Sequence, residues 1–499
     1  MRAARRCLRA LVAIGAAAAL TACSGGPAPA IGPSAGIDSP APGGTVRDYT
    51  LTAAASTLEL KPGLTVHAWS YNGTSPGPEL RATAGDLVRV RLRNRLAVGT
   101  TIHWHGIDLP NGQDGVAGIT QDAIPPGGTT VYSFRVMEAG TYWYHAHQDS
   151  SVQQDRGLYG ALVVLPRGPA TSGVDRTLVY GEWSLGLEAA NPPARANIAM
   201  RSYVTTSVNG RTGSAIMPIA TTPGEQVRLR LVNASYQVHY LESPVPVTIA
   251  ALDGHELIGG SQITGAIPFG PAERVDLVFA APAQPISLRL VGGFPPDEDA
   301  MQPIGPTGAP GPPMAAPTHR QLLDLLGLSS SPAAGAGDPW SDGKQATRSF
   351  TMTLSEVRAS AGSAPPGAMP GMAGMDGVSY RIDGKTFPAT PVLRITRGDL
   401  VEITFRNQGG SEHWMHLHGH FFRVLLRDGA PLPGRLVKDT VGVPPGHSVT
   451  IAFRADNPGW WMIHCHQLLH AAGGMMALLA YDGAVRPAQL GGPFSNSPD

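Results

Sequence analysis

A twelve-residue pattern occurs three times along the 499-residue chain. The copies are TAGDLVRVRLRN at 83–94, TPGEQVRLRLVN at 222–233 and TRGDLVEITFRN at 396–407. Each copy has a glycine before an acidic residue, then apolar residues at alternate positions, then an asparagine. Alternation with a period of two is typical of a half-buried β-strand. Recurrence at intervals of about 140–175 residues predicts three related all-β domains.

The composition agrees with an all-β chain. Glycine (62 residues) and proline (46 residues) are abundant, while charged residues make up only 15% of the sequence. This balance is typical of short strands joined by many turns. Lysine plus arginine and aspartate plus glutamate each number 37, so the formal net charge is zero. Such a charge balance excludes a broad basic surface for nucleic acid.

Histidine pairs lie at the same distance from the shared asparagine in the first and third copies of the pattern. Nine residues after Asn94 comes His103 in HWHG, and nine residues after Asn407 comes His416 in HLHG. The equivalent offset in the second copy holds no such pair. The first and third domains therefore share a feature that the second domain lacks.

A second pair of histidines follows a PPG turn in each of the same two domains. The turns lie at 125–127 and 444–446, and twenty residues after the first proline come HAH and HCH. The two matching sets of four are His103, His105, His145 and His147, and His416, His418, His464 and His466. Core packing does not require histidines at matching positions in two domains, whereas metal binding does. We expect domains 1 and 3 to pack face to face around a small metal cluster, and imidazole at this density suits copper, zinc or iron.

The stretch HCHQLLHAAGGMM at 464–476 places a cysteine between two of these histidines. In extended backbone, alternate side chains point to opposite faces, so the cysteine faces away from its two neighbours, toward a second metal site. A thiolate, two imidazoles and a thioether, typical of a blue-copper electron-transfer centre, are available from Cys465, His413, His470 and Met475. At the positions that correspond to His413, Cys465, His470 and Met475, domain 1 has Thr100, Ala146, Ser151 and Arg156. Backbone bonds would then join the two metal sites.

The N-terminus resembles the export signal of a lipoprotein. Arginines precede an apolar run at 11–20, too short to span a bilayer, and residues 1–22 are typical of a secretory signal peptide. The signal ends in LTAC, so Cys23 would be lipidated and begin the mature protein; the alternative is an ordinary signal peptide with a chance cysteine. Twin-arginine and general secretory export both stay open. Because Cys7 leaves with the signal and Cys23 takes the lipid, Cys465 is a free thiol by exclusion.

The same landmarks divide the chain into domains. We expect a Pro/Gly/Ala tether at 23–44, domains at 45–168, 172–294 and 346–484, and a Pro/Gly-rich linker at 295–345. The isolated His239 and His255 of domain 2 are most simply structural residues. We interpret domain 2 as a spacer without copper.

In these motifs the sequence resembles the three-domain multicopper oxidases, the family of laccases, ascorbate oxidases and bacterial cuprous oxidases. The resemblance covers residues 47–484 and rests on HWH at 103–105, HAH at 145–147, HWMHLH at 413–418 and HCHQLLHAAGGM at 464–475. It implies three tandem cupredoxin-like Greek-key β-barrel domains that hold four copper ions. The resemblance assigns the type 1 copper to His413, Cys465, His470 and Met475, the type 2 copper to His103 and His416, and the type 3 pair to His105, His145, His147, His418, His464 and His466.

The resemblance also implies a reaction. Members of the family take electrons singly from a donor and use four of them to reduce O₂ to water. Asp114, in NGQDG, resembles the acid that supplies protons near the cluster; the alternative is a turn residue before Gly115. Some bacterial members carry a second acid directly after the last type 1 histidine. This chain has Ala471 there, so any second proton relay must differ.

The electron donor is less constrained. Met369, Met372 and Met375 in MPGMAGM offer soft thioethers that favour Cu(I); the alternative is a linker that happens to contain methionine. Glu412 is either a docking carboxylate for a metal ion or an amine, or a solvated surface residue. We expect a cuprous oxidase in copper tolerance with side activity on phenols. The alternatives are a laccase-like phenol oxidase and, outside the enzymes, a copper-storage protein.

The expected partners follow from this interpretation. They are O₂, Cu(I) or a small phenolic or amine donor, and a membrane reached through the lipid on Cys23. We expect no nucleic-acid partner and a monomeric protein. The predicted location is the bacterial cell envelope, at the cell membrane or in the periplasm.

Overall fold

Six β-sheets account for almost all the regular structure of the described residues. The structure is a computed structural model and describes residues 37–168, 173–184, 203–263, 265–292, 300–306, 322–331, 345–358 and 378–499. The sheets occur as three consecutive pairs along the chain, and each pair is here called a unit. Two short α-helices and three 3₁₀ turns are also present in these ranges. The prediction of an all-β fold is confirmed.

The first unit consists of two four-stranded sheets, ordered β2-β1-β4-β6 and β3-β8-β7-β5. Its elements are β1 (Val46–Lys61), β2 (Leu64–Tyr71), β3 (Leu80–Thr83), β4 (Leu87–Asn94), β5 (His103–His105), β6 (Thr129–Arg135), β7 (Gly140–His145), α1 (Ser150–Gln153) and β8 (Tyr159–Leu165). The 3₁₀ turn Asn111–Gln113 follows β5.

The second unit has a six-stranded and a five-stranded sheet, ordered β10-β9-β12-β17-β14-β15 and β11-β19-β18-β13-β16. Its strands are β9 (Val174–Ser184), β10 (Tyr203–Val208), β11 (Ile219–Ala220), β12 (Gln226–Asn233), β13 (His239–Glu242), β14 (Val247–Leu252), β15 (His255–Ile263), β16 (Ile267–Phe269), β17 (Arg274–Ala280), β18 (Ile286–Gly292) and β19 (Met301–Gly305). The 3₁₀ turns are Gly213–Ala215 here and Leu325–Gly327 after it.

The third unit repeats this plan with sheets ordered β21-β20-β23-β29-β25-β26, to which β27 adds, and β22-β31-β30-β24-β28. Its elements are β20 (Arg348–Arg358), β21 (Val378–Ile382), β22 (Val392–Ile395), β23 (Leu400–Asn407), β24 (His413–Leu417), β25 (Phe422–Arg427), β26 (Ala430–Pro431), β27 (Val437–Lys438), β28 (Thr440–Val443), β29 (Ser448–Arg454), β30 (Trp460–Cys465), α2 (Leu468–Ala472) and β31 (Met476–Tyr481).

The three copies of the sequence pattern form the equivalent strands β4, β12 and β23. Each runs parallel to the first strand of its unit, β1, β9 or β20. In β4 the alternation behaves as expected, because Val88, Val90 and Leu92 are buried while the arginines between them are exposed. Burial of one face of each strand fixes its register in the sheet.

The asparagine that ends each copy makes the same hydrogen bonds in all three units. The Nδ2 of Asn94 donates to the carbonyl oxygens of Val98 and Ile124, both at 2.8 Å. Its Oδ1 accepts from the backbone N–H of Leu96 at 2.9 Å. Asn233 and Asn407 bond the corresponding groups of their own units. The buried amide thus fixes the loop that follows the repeated strand. In the first and third units, the strand after that loop carries histidines.

The first and third units share one apolar core, in which residues such as Leu92 and Ile403 belong to the same contiguous cluster. The second unit has a separate core. Packing of the first unit against the third is the arrangement expected from their matching histidines.

The chain between the second and third units differs from the linker expected at 295–345. Strand β19 (Met301–Gly305) pairs with β18 and belongs to the second unit, because its residues extend that sheet despite their proline-rich surroundings. Leu325 and Leu328 also pack against the second core. At the other end of the chain, Asn496 to Asp499 are buried against the first unit.

Several predicted features lie outside the described residues. These are the signal peptide, Cys23 and the Met-rich stretch with Met369, Met372 and Met375. The tether is described only from residue 37, where Ile37 hydrogen bonds with Ser133 of the first unit. Among the described residues, no helix combines the length and apolar character required to cross a membrane.

Candidate metal centre

Two antiparallel strand pairs carry most of the eight predicted histidines. In the first unit β5 pairs with β7, and His103 lies directly opposite His145. In the third unit β24 pairs with β30, and His416 lies directly opposite His464. The remaining four histidines, His105, His147, His418 and His466, lie two residues further along on the same faces.

The packing of the first unit against the third brings all eight imidazoles together. The rings of His103 and His418 lie 3.9 Å apart between centroids, and those of His105 and His416 are stacked at 3.7 Å. The Nε2 atoms of His418 and His464 are 3.0 Å apart. Three groups of nitrogens lie within 4.8 Å of one another: His103 with His416 and His418; His103 with His105 and His145; and His147 with His418 and His464.

One ring nitrogen of most of these histidines is held by the protein. The Nδ1 atoms of His103, His145 and His416 donate to the backbone oxygens of Asp114, Ala146 and Asp439 at 2.8–3.0 Å. The Nδ1 of His147 and of His464 likewise donate to Pro498 and Cys465. Such bonds fix both the tautomer and the orientation of each ring.

The opposite ring nitrogens point into the cluster. Six of the eight leave at least one buried ring nitrogen without a protein partner, namely His103, His105, His145, His147, His416 and His466. Buried polar atoms without a partner are costly in a protein interior. Several such atoms facing one another fit a group of bound metal ions.

The electrostatics keep the rings in the form that binds metal. Burial, together with the neighbouring imidazoles, lowers the pKa of most of the eight histidines well below the usual value. Burial lowers the pKa of His464 to about 3. Neutral imidazole, with its free lone pair, is the metal-binding form.

Asp114 lies between the two histidine sets. It follows the 3₁₀ turn Asn111–Gln113 and is 1% exposed. Its carboxylate is 3.1 Å from Nδ1 of His103 and 3.1 Å from Nδ1 of His418. Burial raises the pKa of this carboxyl group. The predicted acid therefore contacts one histidine from each unit.

A second cluster lies on the other face of β30. The Sγ of Cys465 is 3.5 Å from Nδ1 of His470 and 3.9 Å from Nδ1 of His413, and these two nitrogens are 3.0 Å apart. Helix α2 carries His470, whose ring stacks on Tyr380. Met475 is fully buried, and its backbone oxygen accepts from the N–H of Cys465. The structure thus brings these predicted residues to one place.

The thiol has no other use among the described residues, because Cys465 is buried and free of any disulfide. Burial raises the pKa of the thiol to about 12. A thiolate forms here at neutral pH only if a cation stabilises it. A soft metal ion bound by sulfur and two imidazoles fits this requirement.

The other predicted positions have simple surroundings. Ala471 is buried in an apolar cluster with Ile119 and Phe387. Glu412 is half-buried, and burial raises the pKa of its carboxyl group. In the second unit, His239 bonds Ser235 and His255 packs on Phe421, as expected for structural histidines.

Sequence reasoning missed Asp439, which is 1% exposed and lies beside the cluster. Its Oδ1 is 3.1 Å from Nε2 of His105, and together with His105 and His416 it forms a further group of potential metal-binding atoms. A signal was available, because Asp439 lies five residues before the PPG turn, where the first unit has Thr120. The same comparison between domains had singled out the ligands around Cys465.

Comparisons with known proteins agree with this geometry. Two family models described as multicopper oxidase match residues 52–169 and 362–484. The chain is 29% identical to Multicopper oxidase MmcO of Mycobacterium tuberculosis over 93% of its own length and 94% of the relative's. It is 26% identical to Copper resistance protein A of Escherichia coli, over 87% and 92% of the two lengths. Other relatives are named laccase.

The fold has matching solved structures. A crystal structure of a multi-copper oxidase from Pseudomonas thermotolerans superposes with a TM-score of 0.69 at 29% identity, covering 88% of this chain and all of that one. Fold and site together define an oxidoreductase built from cupredoxin-like units with histidine clusters suited to copper. The chain belongs to the multicopper oxidase family.

Proposed function

We propose that the protein couples the one-electron oxidation of Cu(I) to the four-electron reduction of O₂ to water, with slower side activity on phenols. The observation that carries the proposal is the sequence His464-Cys465-His466 in and after β30. Its thiol faces His413 and His470, whereas its two imidazoles face the other histidines. The site around Cys465 would accept electrons one at a time from the donor, and the histidine cluster would hold several metal ions. Only the backbone bonds of this tripeptide separate the two sites.

We assign four copper ions to these residues. The type 1 copper would be held by His413, Cys465, His470 and Met475; the type 2 copper by His103 and His416; and the type 3 pair by His105, His145, His147, His418, His464 and His466. When bound, copper supplies the one-electron steps between the donor and O₂. The protein holds the rings through their outer nitrogens and excludes water from the site by burial.

Asp114 is the proposed source of protons for the reaction. Its carboxyl oxygens lie at the boundary of the two histidine sets, 3.1 Å from a ring nitrogen of each. A carboxyl group fixed at that place can pass a proton to oxygen as it is reduced. Ala471 lies in apolar packing, so this chain has no carboxyl group directly after His470.

The choice of Cu(I) as donor rests on chemistry and on the names of relatives. Thioethers of Met369, Met372 and Met375 would gather a soft monovalent ion, and one matched relative is named Copper resistance protein A. Relatives named laccase favour the second candidate, a phenol oxidase. A storage protein, the third candidate, needs neither Asp114 nor a thiolate joined to a cluster. Oxygen consumption by the copper-loaded protein would exclude storage.

The test replaces Met369, Met372 and Met375 together with leucine. This change keeps apolar bulk but removes three soft donors, so kcat/KM for Cu(I) should fall while kcat/KM for a phenol holds or rises. The ratio of the two values is the readout, because it cancels differences in copper loading. A matched control replaces Met137 and Met217, which are 61% and 74% exposed. An unchanged ratio in the triple variant would favour the phenol oxidase.

We also propose that the protein is anchored to the cell envelope by a lipid on Cys23. A lipidated protein should partition into detergent, and Cys23→Ala should release it or leave it unprocessed. Recovery of the wild type entirely in the aqueous phase would exclude the anchor.

A further inference from the structure

A buried ion pair joins the second unit to the histidine cluster. Arg274, the first residue of β17, is 0% exposed, and its guanidinium contacts both carboxylate oxygens of Asp439, which lies between β27 and β28 in the third unit. The Nη1–Oδ1 distance is 2.8 Å. Two parallel bonds of this kind fix the plane of a carboxylate as well as its position.

The guanidinium is held from several sides. Its Nε donates to the backbone oxygen of Thr141 at 3.2 Å, and its Nη1 donates to that of Ala272 at 3.1 Å. Asp253 lies 3.5 Å from Nη1. The two parallel bonds from this guanidinium therefore hold the carboxylate of Asp439 at a fixed place beside the cluster.

Asp439 in turn holds one ring from each half of the cluster. Its backbone oxygen accepts from Nδ1 of His416 at 2.8 Å. Its Oδ1 accepts from Nε2 of His105 at 3.1 Å, and from the hydroxyl of Thr440 at 2.9 Å. These bonds leave Nε2 of His416 and Nδ1 of His105 free to face the cluster.

The glycine of HWHG lies against the same ion pair. Gly106 has φ +80°, and a Cβ built there would collide with the guanidinium of Arg274 and lie 2.6 Å from Oδ2 of Asp439. The first unit thus approaches the pair by backbone alone. All three units meet at this point, immediately beside His105.

We propose that Arg274 is a positioning residue for the metal cluster, through which the unit without copper motifs orients His105 and His416. The inference rests on the proposed function, in that these histidines bind copper. It adds a positioning role to the interpretation of domain 2 as a spacer without copper. Without the guanidinium, a buried carboxylate would lose its counter-ion and reorient, and the two rings would lose their fixed partner.

The experiment compares Arg274→Met and Arg274→Lys with Arg230→Met in copper-loaded protein. Arg230 is a matched control, since it is a buried arginine of the same sheet, on β12, and bonds Thr141, Asp175 and Asp276. Lysine at 274 keeps the charge but cannot make two parallel bonds. Type 2 copper is followed by its electron paramagnetic resonance signal during titration with a chelator, type 1 copper by its blue absorbance, and the fold by the melting temperature.

Both Arg274 variants should bind type 2 copper about 10- to 100-fold more weakly, the usual cost of losing an outer partner of a metal ligand, while the blue absorbance stays. Arg230→Met should lower the melting temperature, but it should not weaken type 2 copper relative to type 1 copper. If Arg274→Met does not fold, the Arg274→Lys variant still tests the inference. The inference would be overturned if the Arg274 variants bind type 2 copper as tightly as the wild type does. It would also be overturned if their type 1 and type 2 copper signals fall together. Wild-type protein that takes up no copper would instead overturn the proposed function, and the inference with it.

Discussion

His416 lies directly opposite His464 where β24 pairs with β30, and one position away Met415 lies opposite Cys465. Because side chains alternate along a strand, this strand pair presents imidazoles to one face and the thiol to the other. In the first unit the equivalent pair also sets His103 opposite His145, but no thiol follows. One strand pair of the third unit therefore serves two sites.

Replacing Cys465 with serine should abolish the blue colour of the copper-loaded protein, since that colour requires a thiolate ligand. Copper bound to the eight histidines should remain, because their rings face the other side of the strand. Absorption spectra with copper analysis would measure both effects. Met415→Leu, on the same face as the thiol, is the control and should stay blue. A blue Cys465→Ser protein would refute the assignment of the thiolate.

Replacing Asp114 with asparagine keeps the size of the side chain but removes its capacity to donate a proton. We expect kcat for O₂ reduction to fall by about 10²- to 10⁴-fold, the usual contribution of a positioned acid, with the blue absorbance unchanged. Steady-state oxygen consumption measures the effect. Asp48→Asn, an exposed carboxylate paired with Arg89 on the same unit, is the control. Full activity of the Asp114→Asn protein would show that Asp114 serves only as a turn residue before Gly115.

Individual residues show which parts of the fold and of the site could be predicted from the sequence. The histidine registers could be predicted because each follows from a strand, a buried asparagine and a turn at fixed spacing. Arg274 could not, since it lies 165 residues before Asp439 and belongs to a unit with no metal motif; only the packing of units brings the two together. Strand β19 was missed because its proline-rich surroundings resemble a linker, and it becomes a strand by pairing with β18.

His255 gives a test of the fold through pH. Burial is the main cause that lowers its pKa to about 4, from an ordinary 6.5. Between these values the unfolded chain binds a proton that the folded chain does not, so stability falls as the pH falls from 6.5 through 4. His255→Gln removes this proton, and its free energy of unfolding should lose roughly 3 kcal/mol less over that range. Reversible urea unfolding at several pH values measures the difference. Parallel curves for both proteins would contradict the burial of a neutral imidazole.

Asn496 gives a test of the tail that packs against the first unit. Its Oδ1 accepts from the N–H of Ala123 at 2.8 Å, and its Nδ2 donates to Asp122 and to the backbone oxygen of Gln489. Alanine at 496 would leave a buried N–H without a partner, which costs about 1–3 kcal/mol.

The same change should reach the metal cluster. Two residues beyond Asn496, the backbone oxygen of Pro498 accepts from Nδ1 of His147 at 3.1 Å and from the hydroxyl of Ser150 at 2.8 Å. A loosened tail would free the His147 ring, so Asn496→Ala should lower the melting temperature and speed copper loss from the eight histidines to a chelator. The blue absorbance should persist, because Cys465, His413 and His470 are carried by β30, β24 and α2 of the third unit. Phe494→Ala, at a side chain that is 40% exposed, is the matched control. Equal copper loss from Asn496→Ala and Phe494→Ala would show that the tail does not hold His147.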